Sequence, residues 1–352
     1  MEKEKSPAEL LKEKLFAAHK SAYEVCDEQE ILKAYEYCGD YMKFLNDAKT
    51  ERECVTEAVK KLDAAGFTPF EYGKKYATGD KFYLNNRGKA LYAVVMGKKS
   101  LEDGLSIAAG HIDSPRIDLK QNPLYEEGGM AFFKTHYYGG IKKYQWVTLP
   151  LALHGVVAKK DGSIVEINIG ENEDDPVFFI SDLLIHLSAE QMEKKASKVI
   201  EGEALDLIFG SRPLAGEEKE AVKAGVMKLL AEQYGIEEED FLSAELCCVP
   251  AFGACDIGFD RSFVGAYGHD DRVCGYAALK ALLNLDKTPA KTAVCVLADK
   301  EEIGSDGVTG MQSAAFDTFM EDLCEAQGAA LRVCLENSFC LSADVTAAYD
   351  PN

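Results

Sequence analysis

Positive charge is scarce in this sequence. Over 352 residues, 39 Lys and Arg stand against 60 Asp and Glu, which gives a formal net charge of -21. Nucleic acid and anionic membrane surfaces are polyanions that would not attract a chain with this balance. We therefore expect neither a nucleic-acid partner nor a membrane partner.

Long apolar runs and cysteine pairs with C-x-x-C spacing are also missing. No run of about eighteen apolar residues occurs, so we expect no membrane span. The first residues, Met1 to Lys5, are charged and no apolar segment follows them, unlike a secretory signal. The 11 cysteines contain no C-x-x-C pair, and such a dispersed, odd number indicates buried, reduced thiols. We expect a cytoplasmic protein.

Helical and strand patterns alternate at both ends of the chain. Residues 28–48 and 51–65 are amphipathic and predict helices. Residues 90–96, 105–109 and 292–298 are apolar runs of the length and composition of buried strands. This pattern predicts an α/β fold with helices packed around a sheet.

The middle of the chain differs in character. Lys160-Asp161-Gly162 separates two strand-like runs, residues 149–158 and 163–169, and predicts a hairpin. Helices are predicted over residues 189–200 and 217–234. Hairpins inside an α/β pattern indicate an inserted domain. The predicted division is residues 1–120 for the first part of a catalytic domain, 121–245 for the insertion and 246–352 for the second part.

Two adjacent glutamates, Glu301 and Glu302, follow the strand predicted over residues 292–298. Like charges side by side repel, so a metal ion or a proton held at raised pKa must compensate them, unless they lie in a solvated acidic loop. His111 and Asp113 follow another strand. In extended chain they point to the same side, so an imidazole bound to a metal could donate its other N–H to the carboxylate. A polar turn is the alternative.

Two further chain positions present carboxylates. Asp270 and Asp271 precede a helix predicted over residues 273–283, where they could bridge metals or merely cap the helix. Asp344 ends a strand-like run, residues 339–344. Acidic or imidazole groups at four element ends of one α/β chain suggest a two-metal hydrolase, for which zinc, cobalt or manganese would suit the ligands. A carboxylate outside the ligand set would take a proton from water and pass it to a leaving amine.

Four motifs carry a specific resemblance. They are Ala109-Gly110-His111-Ile112-Asp113-Ser114-Pro115, Asp270-Asp271-Arg272-Val273, Asp299-Lys300-Glu301-Glu302-Ile303-Gly304-Ser305 and Ser342-Ala343-Asp344-Val345. In this order they resemble the motifs of the aspartyl aminopeptidase family, which are dinuclear zinc aminopeptidases. The resemblance implies a zinc-peptidase-like mixed sheet flanked by helices, a β-rich dimerisation insertion, and removal of N-terminal residues, including acidic ones, from peptides.

The resemblance also assigns roles to residues. It implies one zinc held by His111, Asp270 and Asp344, with Asp270 bridging to a second zinc bound by Glu302. The adjacent aspartates leave Asp271 open as the bridge.

Three residues outside this ligand set receive roles too. Glu301 would be the general base, and Asp113 the partner of His111. His186, alone in an apolar run and so otherwise a core residue, would reach a neighbouring subunit's active site in a dimer that builds towards a dodecamer.

One departure from the family matters. The family's last metal ligand is a histidine well after the Ser-Ala-Asp motif, whereas no histidine follows Asp344 here. We expect a C-terminally truncated piece, in which only Asp270 and Glu302 of the protein would hold the second zinc. A deacylase acting on non-peptide amides and a catalytically incomplete metal-binding assembly protein stay as alternatives.

Overall fold

The structure is a computed structural model that describes residues 5–17 and 20–348. Its helices are α1 Pro7–Leu15, α2 Ala22–Val25, α3 Glu28–Asp47, α4 Glu51–Ala64, α5 Ala189–Met192, α6 Ala196–Val199, α7 Ala221–Tyr234, α8 His269–Leu283, α9 Ala315–Gln327 and α10 Leu331–Glu336. Its strands are β1 Thr68–Pro69, β2 Lys81–Asn86, β3 Ala90–Val95, β4 Ser106–His111, β5 Arg116–Glu127, β6 Met130–Tyr138, β7 Leu151–Ala158, β8 Ile164–Ile169, β9 Leu207–Gly210, β10 Ala244–Pro250, β11 Cys255–Ile257, β12 Phe263–Gly265, β13 Ala293–Ala298 and β14 Phe339–Ser342.

The first sheet has the strand order β1-β2-β3-β13-β4-β14. Strands β13, β4 and β14 run parallel to one another, whereas β3 is antiparallel to β13 and to β2. The carboxyl ends of the three parallel strands therefore meet at one edge, which is where open α/β sheets place their ligand sites.

Helices cover both faces of the first sheet. Consecutive residues of a strand point to opposite faces, and β3 is buried along its whole length. The core on one face, formed with α3, α4 and α8, includes Phe44, Leu62, Leu91, Leu279 and Leu297. The core on the other face, formed with α9, includes Tyr92, Val94, Val296, Phe319 and Leu323.

The second sheet has the strand order β8-β7-β10-β5-β6-β9, with every neighbouring pair antiparallel. Its core includes Phe133, Leu153 and Leu207, and α7 adds Val222 and Val226. The strands of this sheet lie within residues 116–250, between two parts of the first sheet. The insertion predicted over residues 121–245 falls inside that stretch, and its role as a separate domain stays a prediction.

The predicted fold class, a mixed sheet flanked by helices with a β-rich second part, is confirmed. The single helix predicted over residues 189–200 is wrong, because the chain forms α5 and α6 separated by Glu193 to Lys195. Ile200 is buried, but the two helices bury no residue, so no apolar stripe favours one continuous helix. Across residues 5–17 and 20–348, no helix combines the length and apolar character that crossing a bilayer needs.

Candidate metal centre

Side chains from three strand ends and one helix start gather at the carboxyl edge of the first sheet. His111 is the last residue of β4, and the short 3-10 turn Glu301–Ile303 follows β13. Asp344 follows β14, and Asp270 lies in the first turn of α8. The parallel pairing of β13, β4 and β14 explains why sequence-distant groups meet here.

Two glycines let helix α8 approach strand β4 closely. A Cβ atom on Gly110 would lie 2.8 Å from the backbone nitrogen of Gly275 and 3.1 Å from Oδ2 of Asp271. Any side chain at Gly110 would push the helix away from the strand. The glycine therefore brings the Asp270–Asp271 pair, which is joined by a cis peptide bond, next to His111.

The loop that carries the two glutamates is fixed by the buried carboxylate of Asp299. This carboxylate accepts hydrogen bonds from the Thr309 hydroxyl at 2.5 Å and from the Lys300 amide at 2.8 Å. Burial, and next the charge of Glu51, raise the pKa of Asp299. Lys300 adopts a left-handed φ of 73°, which turns the chain directly after the strand.

His111 presents its Nε2 atom to a ring of carboxylates. Its Nδ1 lies 3.0 Å from the carbonyl oxygen of Asp113 and 3.3 Å from Oδ1 of the same residue, so we assign the proton to Nδ1. Nε2 is buried without a hydrogen-bond partner among the described residues. It lies 3.2 Å from Asp270, 3.6 Å from Glu301 and 4.0 Å from Asp344, measured to a carboxylate oxygen of each.

Two sets of three residues at this edge have the spacing of a metal site. His111, Asp270 and Glu302 form one set, and His111, Asp271 and Asp344 form the other, with the ligand atoms of each set within 4.8 Å of one another. Both carboxylate oxygens of Asp271 are buried without a partner of normal hydrogen-bond geometry among the described residues. The structure thus brings together all four predicted metal ligands, and it groups Asp344 with Asp271, the alternative bridge, and not with Asp270.

The carboxylate of Asp113, next to the His111 ring, accepts several hydrogen bonds. It accepts hydrogen bonds from the backbone amides of Glu301 and Glu302, both at 3.2 Å, and from the hydroxyl of Tyr138 at 2.7 Å. Asp113 is fully buried, and burial alone would raise its pKa, but the bonds from His111 and Tyr138 outweigh burial and lower it. An ionised Asp113 accepts from every side, which fixes the His111 ring.

The clustering of carboxylates shifts the pKa values of the site in the absence of a cation. Burial, and next the charge of Asp270, raise the pKa of Glu302 to about 7. Burial lowers the pKa of His111, but hydrogen bonding to Asp113 and its charge outweigh burial and raise the value to about 9. Both shifts mean that the group of carboxylates attracts positive charge.

Sequence reasoning missed two supporting residues. The guanidinium of Arg272 is buried and donates to the carbonyls of Ile112 at 3.0 Å and Lys49 at 2.8 Å, which ties α8 to the end of β4. Tyr138 lies outside the four motifs that carry the resemblance, so sequence reasoning assigned it no role. Arg272 follows the Asp-Asp pair directly, so its position in the motif was the one available signal.

His186 lies apart from these sets. It occupies the exposed 3-10 turn Ile185–Leu187, and it belongs to neither set of three. Its neighbours Leu184 and Leu187 are each 71% exposed. Its predicted role in a neighbouring active site stays a prediction.

The donor set fits a zinc ion. Neutral His111, with its one proton on Nδ1, has a lone pair on Nε2, and the ionised carboxylates around it also offer only lone pairs. A cation between them satisfies the orphaned nitrogen and compensates the negative charges, and zinc accepts nitrogen and carboxylate oxygen ligands. The edge of an α/β sheet built in this way defines a metal-dependent hydrolase.

The chain belongs to the M18 peptidase family, whose model, described as aminopeptidase I zinc metalloprotease, matches residues 44–352. A probable M18 family aminopeptidase 1 of Clostridium acetobutylicum is 51% identical over 355 residues, covering 98% of this chain and 75% of the relative. This confirms the family that the four motifs resemble. The protein is a metallo-aminopeptidase, a hydrolase of peptide bonds.

Solved structures agree with the fold. The crystal structure of an M18 family aminopeptidase from Thermotoga maritima has a TM-score of 0.90 and 46% identity, covering 96% of this chain and 74% of that chain. A structure described as the mApe1 dodecamer of S. cerevisiae has a TM-score of 0.72, covering 91% of this chain and 74% of that one. At 22% identity the second likeness shows the fold alone.

Proposed function

We propose that this aminopeptidase removes single N-terminal residues, including acidic ones, with two zinc ions per subunit. His111, Asp270 and Asp344 would hold one ion, and Asp270 and Glu302 the other. The observation that carries this proposal is the convergence of carboxylates on the orphaned Nε2 of His111. Cobalt and manganese suit the same ligands and are the alternatives to zinc.

The residues around the metals would divide the chemistry. When bound, the ions supply Lewis acidity, which polarises the scissile carbonyl and makes a nearby water more acidic. Glu301 takes the proton of that water and returns it to the leaving amine. Its side chain is 49% exposed, so it faces the space where a peptide can enter. Asp113 keeps the proton of His111 on Nδ1, so that Nε2 stays free to bind.

Exposed apolar side chains support a homo-oligomer. Leu183, Leu184, Ile185 and Leu187 are each more than half exposed in one short segment, and a contiguous apolar surface commonly marks a protein interface. The yeast structure described as a dodecamer supports the same conclusion at the level of fold. We propose that residues 121–245 form the oligomerisation unit and that His186 reaches the active site of a neighbouring copy.

The cysteines support a reducing compartment. All 11 are free, and six of them are buried. Free thiols in this number persist where glutathione and thioredoxin keep cysteine reduced. We therefore propose a cytoplasmic location. Fractionation of cells that express the tagged protein tests it, and recovery outside the cytosolic fraction would contradict it.

Activity on a substrate panel tests the function. The 352-residue chain is stripped of metal with a chelator, zinc is returned, and hydrolysis of aminoacyl p-nitroanilides with Asp, Glu, Leu, Ala and Lys is measured. We expect zinc to restore hydrolysis and N-acetylation of the same substrates to abolish it, because a free α-amino group anchors an aminopeptidase substrate. Faster hydrolysis of Asp and Glu substrates would establish the acidic preference.

The same panel separates the alternatives. Hydrolysis of N-acetyl amino acids in preference to aminoacyl substrates would make the protein a deacylase. No hydrolysis of either kind by a folded, zinc-loaded chain would contradict the proposal for this chain.

Neighbouring aspartates provide a test of the ligand set. The Asp270→Asn variant should retain less than one zinc per chain after dialysis, because the shared ligand of both ions is lost. The Asp271→Asn variant should retain more zinc than Asp270→Asn. Inductively coupled plasma mass spectrometry on both variants gives the comparison, and the reverse order would make Asp271 the bridge.

A further inference from the structure

Tyr138 belongs to the second sheet but contacts the metal centre of the first. It is the last residue of β6, and its backbone pairs with Arg116 of β5. Ala131, Phe133 and Thr135 point into the core of the second sheet, so the even-numbered Tyr138 points the other way. Its hydroxyl donates to Oδ2 of Asp113 at 2.7 Å, and both side chains are buried.

Two cations hold the Tyr138 ring in place. The guanidinium carbon of Arg116 lies 4.2 Å from the ring centroid, and Nζ of Lys300 lies 5.5 Å from it. Arg116 is itself fixed by ion pairs to Glu51 at 2.8 Å and Asp118 at 2.7 Å. A ring held by two cations has little freedom, so its hydroxyl reaches Asp113 at one fixed point.

The next residue completes the contact between the sheets. Gly139 has a φ of +70°, and a Cβ atom there would lie 3.2 Å from Cβ of Glu302. The end of β6 thus touches the loop that carries the glutamates as well as the carboxylate that orients His111. Packing of the second sheet against the first would not by itself require a hydroxyl aimed at Asp113.

We propose that Tyr138 is a positioning residue of the metal centre, through which the second sheet fixes Asp113 and thereby the zinc-binding imidazole of His111. This inference rests on the proposed metal ligands. The second sheet would then position the metal centre of its own subunit, in addition to forming contacts between subunits. The hydroxyl acts by satisfying a carboxylate oxygen that has no access to water, since Asp113 is 0% exposed.

Zinc affinity of the Tyr138→Phe variant tests the inference. Phenylalanine keeps the ring between the two cations and removes only the hydroxyl. Loss of the direct partner of a metal-binding histidine weakens metal binding by about 10- to 100-fold. Tyr138 acts one hydrogen bond further away, through Asp113, so we expect a smaller loss of about 3- to 10-fold, as for one hydrogen bond. The dissociation constant is measured by competition with a fluorescent zinc chelator. Tyr137→Phe is the matched control, because Tyr137 is 46% exposed. This variant should bind zinc as tightly as the unchanged chain.

A double-mutant cycle separates positioning from general support. If Tyr138 acts through Asp113, Tyr138→Phe should change zinc affinity by less than about twofold in the Asp113→Asn background, because contacting residues couple. An equal loss of zinc affinity from Tyr138→Phe in both backgrounds would overturn the inference. So would a Tyr138→Phe chain that binds zinc normally, or one that circular dichroism shows to be unfolded. Zinc binding by the unchanged chain with no effect of Tyr138→Phe rejects this inference alone. Absence of zinc binding by the unchanged chain rejects the metal centre as well.

Discussion

Glutamine at position 301 is expected to lower kcat by about 10²- to 10⁴-fold, the range typical of a lost general base, while the chain keeps its zinc. The Glu301→Gln variant is compared with the unchanged chain by steady-state kinetics on the best aminoacyl substrate. Metal content of both chains is measured on the same preparations.

The structure explains why metal and activity should separate at this residue. Glu301 belongs to neither set of three metal-spaced ligands. Its backbone amide, which donates to Asp113 at 3.2 Å, is unchanged by the substitution. Glutamine has nearly the size of glutamate but cannot accept a proton at neutral pH, so the substitution removes the proton acceptor and little else.

Glu302→Gln is the matched control, one residue further along the same turn. As a proposed ligand it should lose zinc, whereas Glu301→Gln should not. Loss of zinc from Glu301→Gln would make Glu301 a ligand. An unchanged rate with full zinc would contradict its role as base. If the unchanged chain binds zinc but shows no turnover, the non-catalytic assembly protein becomes the better description.

Mixing inactive variants tests His186 with the same reagent. Glu301→Gln and His186→Ala chains are unfolded together and refolded as mixed oligomers. If His186 serves a neighbouring copy, some mixed interfaces combine an intact Glu301 with an intact His186, and activity should return above that of either variant alone. No recovery in mixed oligomers would place the task of His186 elsewhere.

Much of the metal centre could be predicted because short apolar strands determine it. The run before Glu301 and the run before His111 indicate buried strands, and parallel pairing then brings their carboxyl ends together. The choice between Asp270 and Asp271 was not predictable in this way. Both lie at the start of α8, where the backbone of each departs from helical φ and ψ, so helix periodicity does not tell where either side chain points.

Contacts between the two sheets were beyond sequence reasoning. Tyr138 meets Asp113 because the second sheet packs against the first in one particular orientation, and no local pattern specifies that orientation. The same limit applies to Arg272, whose two carbonyl partners come from separate elements. Periodicity predicts which face of a strand is buried, but not which distant polar group that face will meet.

A second buried histidine connects the second sheet to helix α4, which covers the first sheet. His154 of β7 is 1% exposed, and its Nδ1 and Nε2 lie 2.7 Å from Glu53 and 2.9 Å from Glu171. Nζ of Lys49 lies 2.7 Å from the same oxygen of Glu171, and Asn168 lies 3.3 Å from Glu53. Since both nitrogens face carboxylates, both donate, and the imidazole carries a positive charge.

This arrangement makes the free energy of unfolding depend on pH. Burial lowers the pKa of His154, but the hydrogen bonds that it donates to Glu171 and Glu53 outweigh burial and raise the pKa to about 9. The unfolded value is about 6.5, so the native state holds the proton more tightly. Its contribution, about 3 kcal/mol, is fully present below about pH 6.5 and is lost as the pH rises through about 9.

The His154→Gln variant should remove this pH-dependent contribution. Urea unfolding of zinc-loaded chains is followed from pH 6 to pH 10, which keeps His111 engaged by metal. The difference in unfolding free energy between the unchanged chain and the variant should decrease by about 3 kcal/mol over this range. The exposed His136, changed to glutamine, is the matched control for removal of an imidazole. A constant difference for His154→Gln would mean that its imidazole is neutral between the two glutamates.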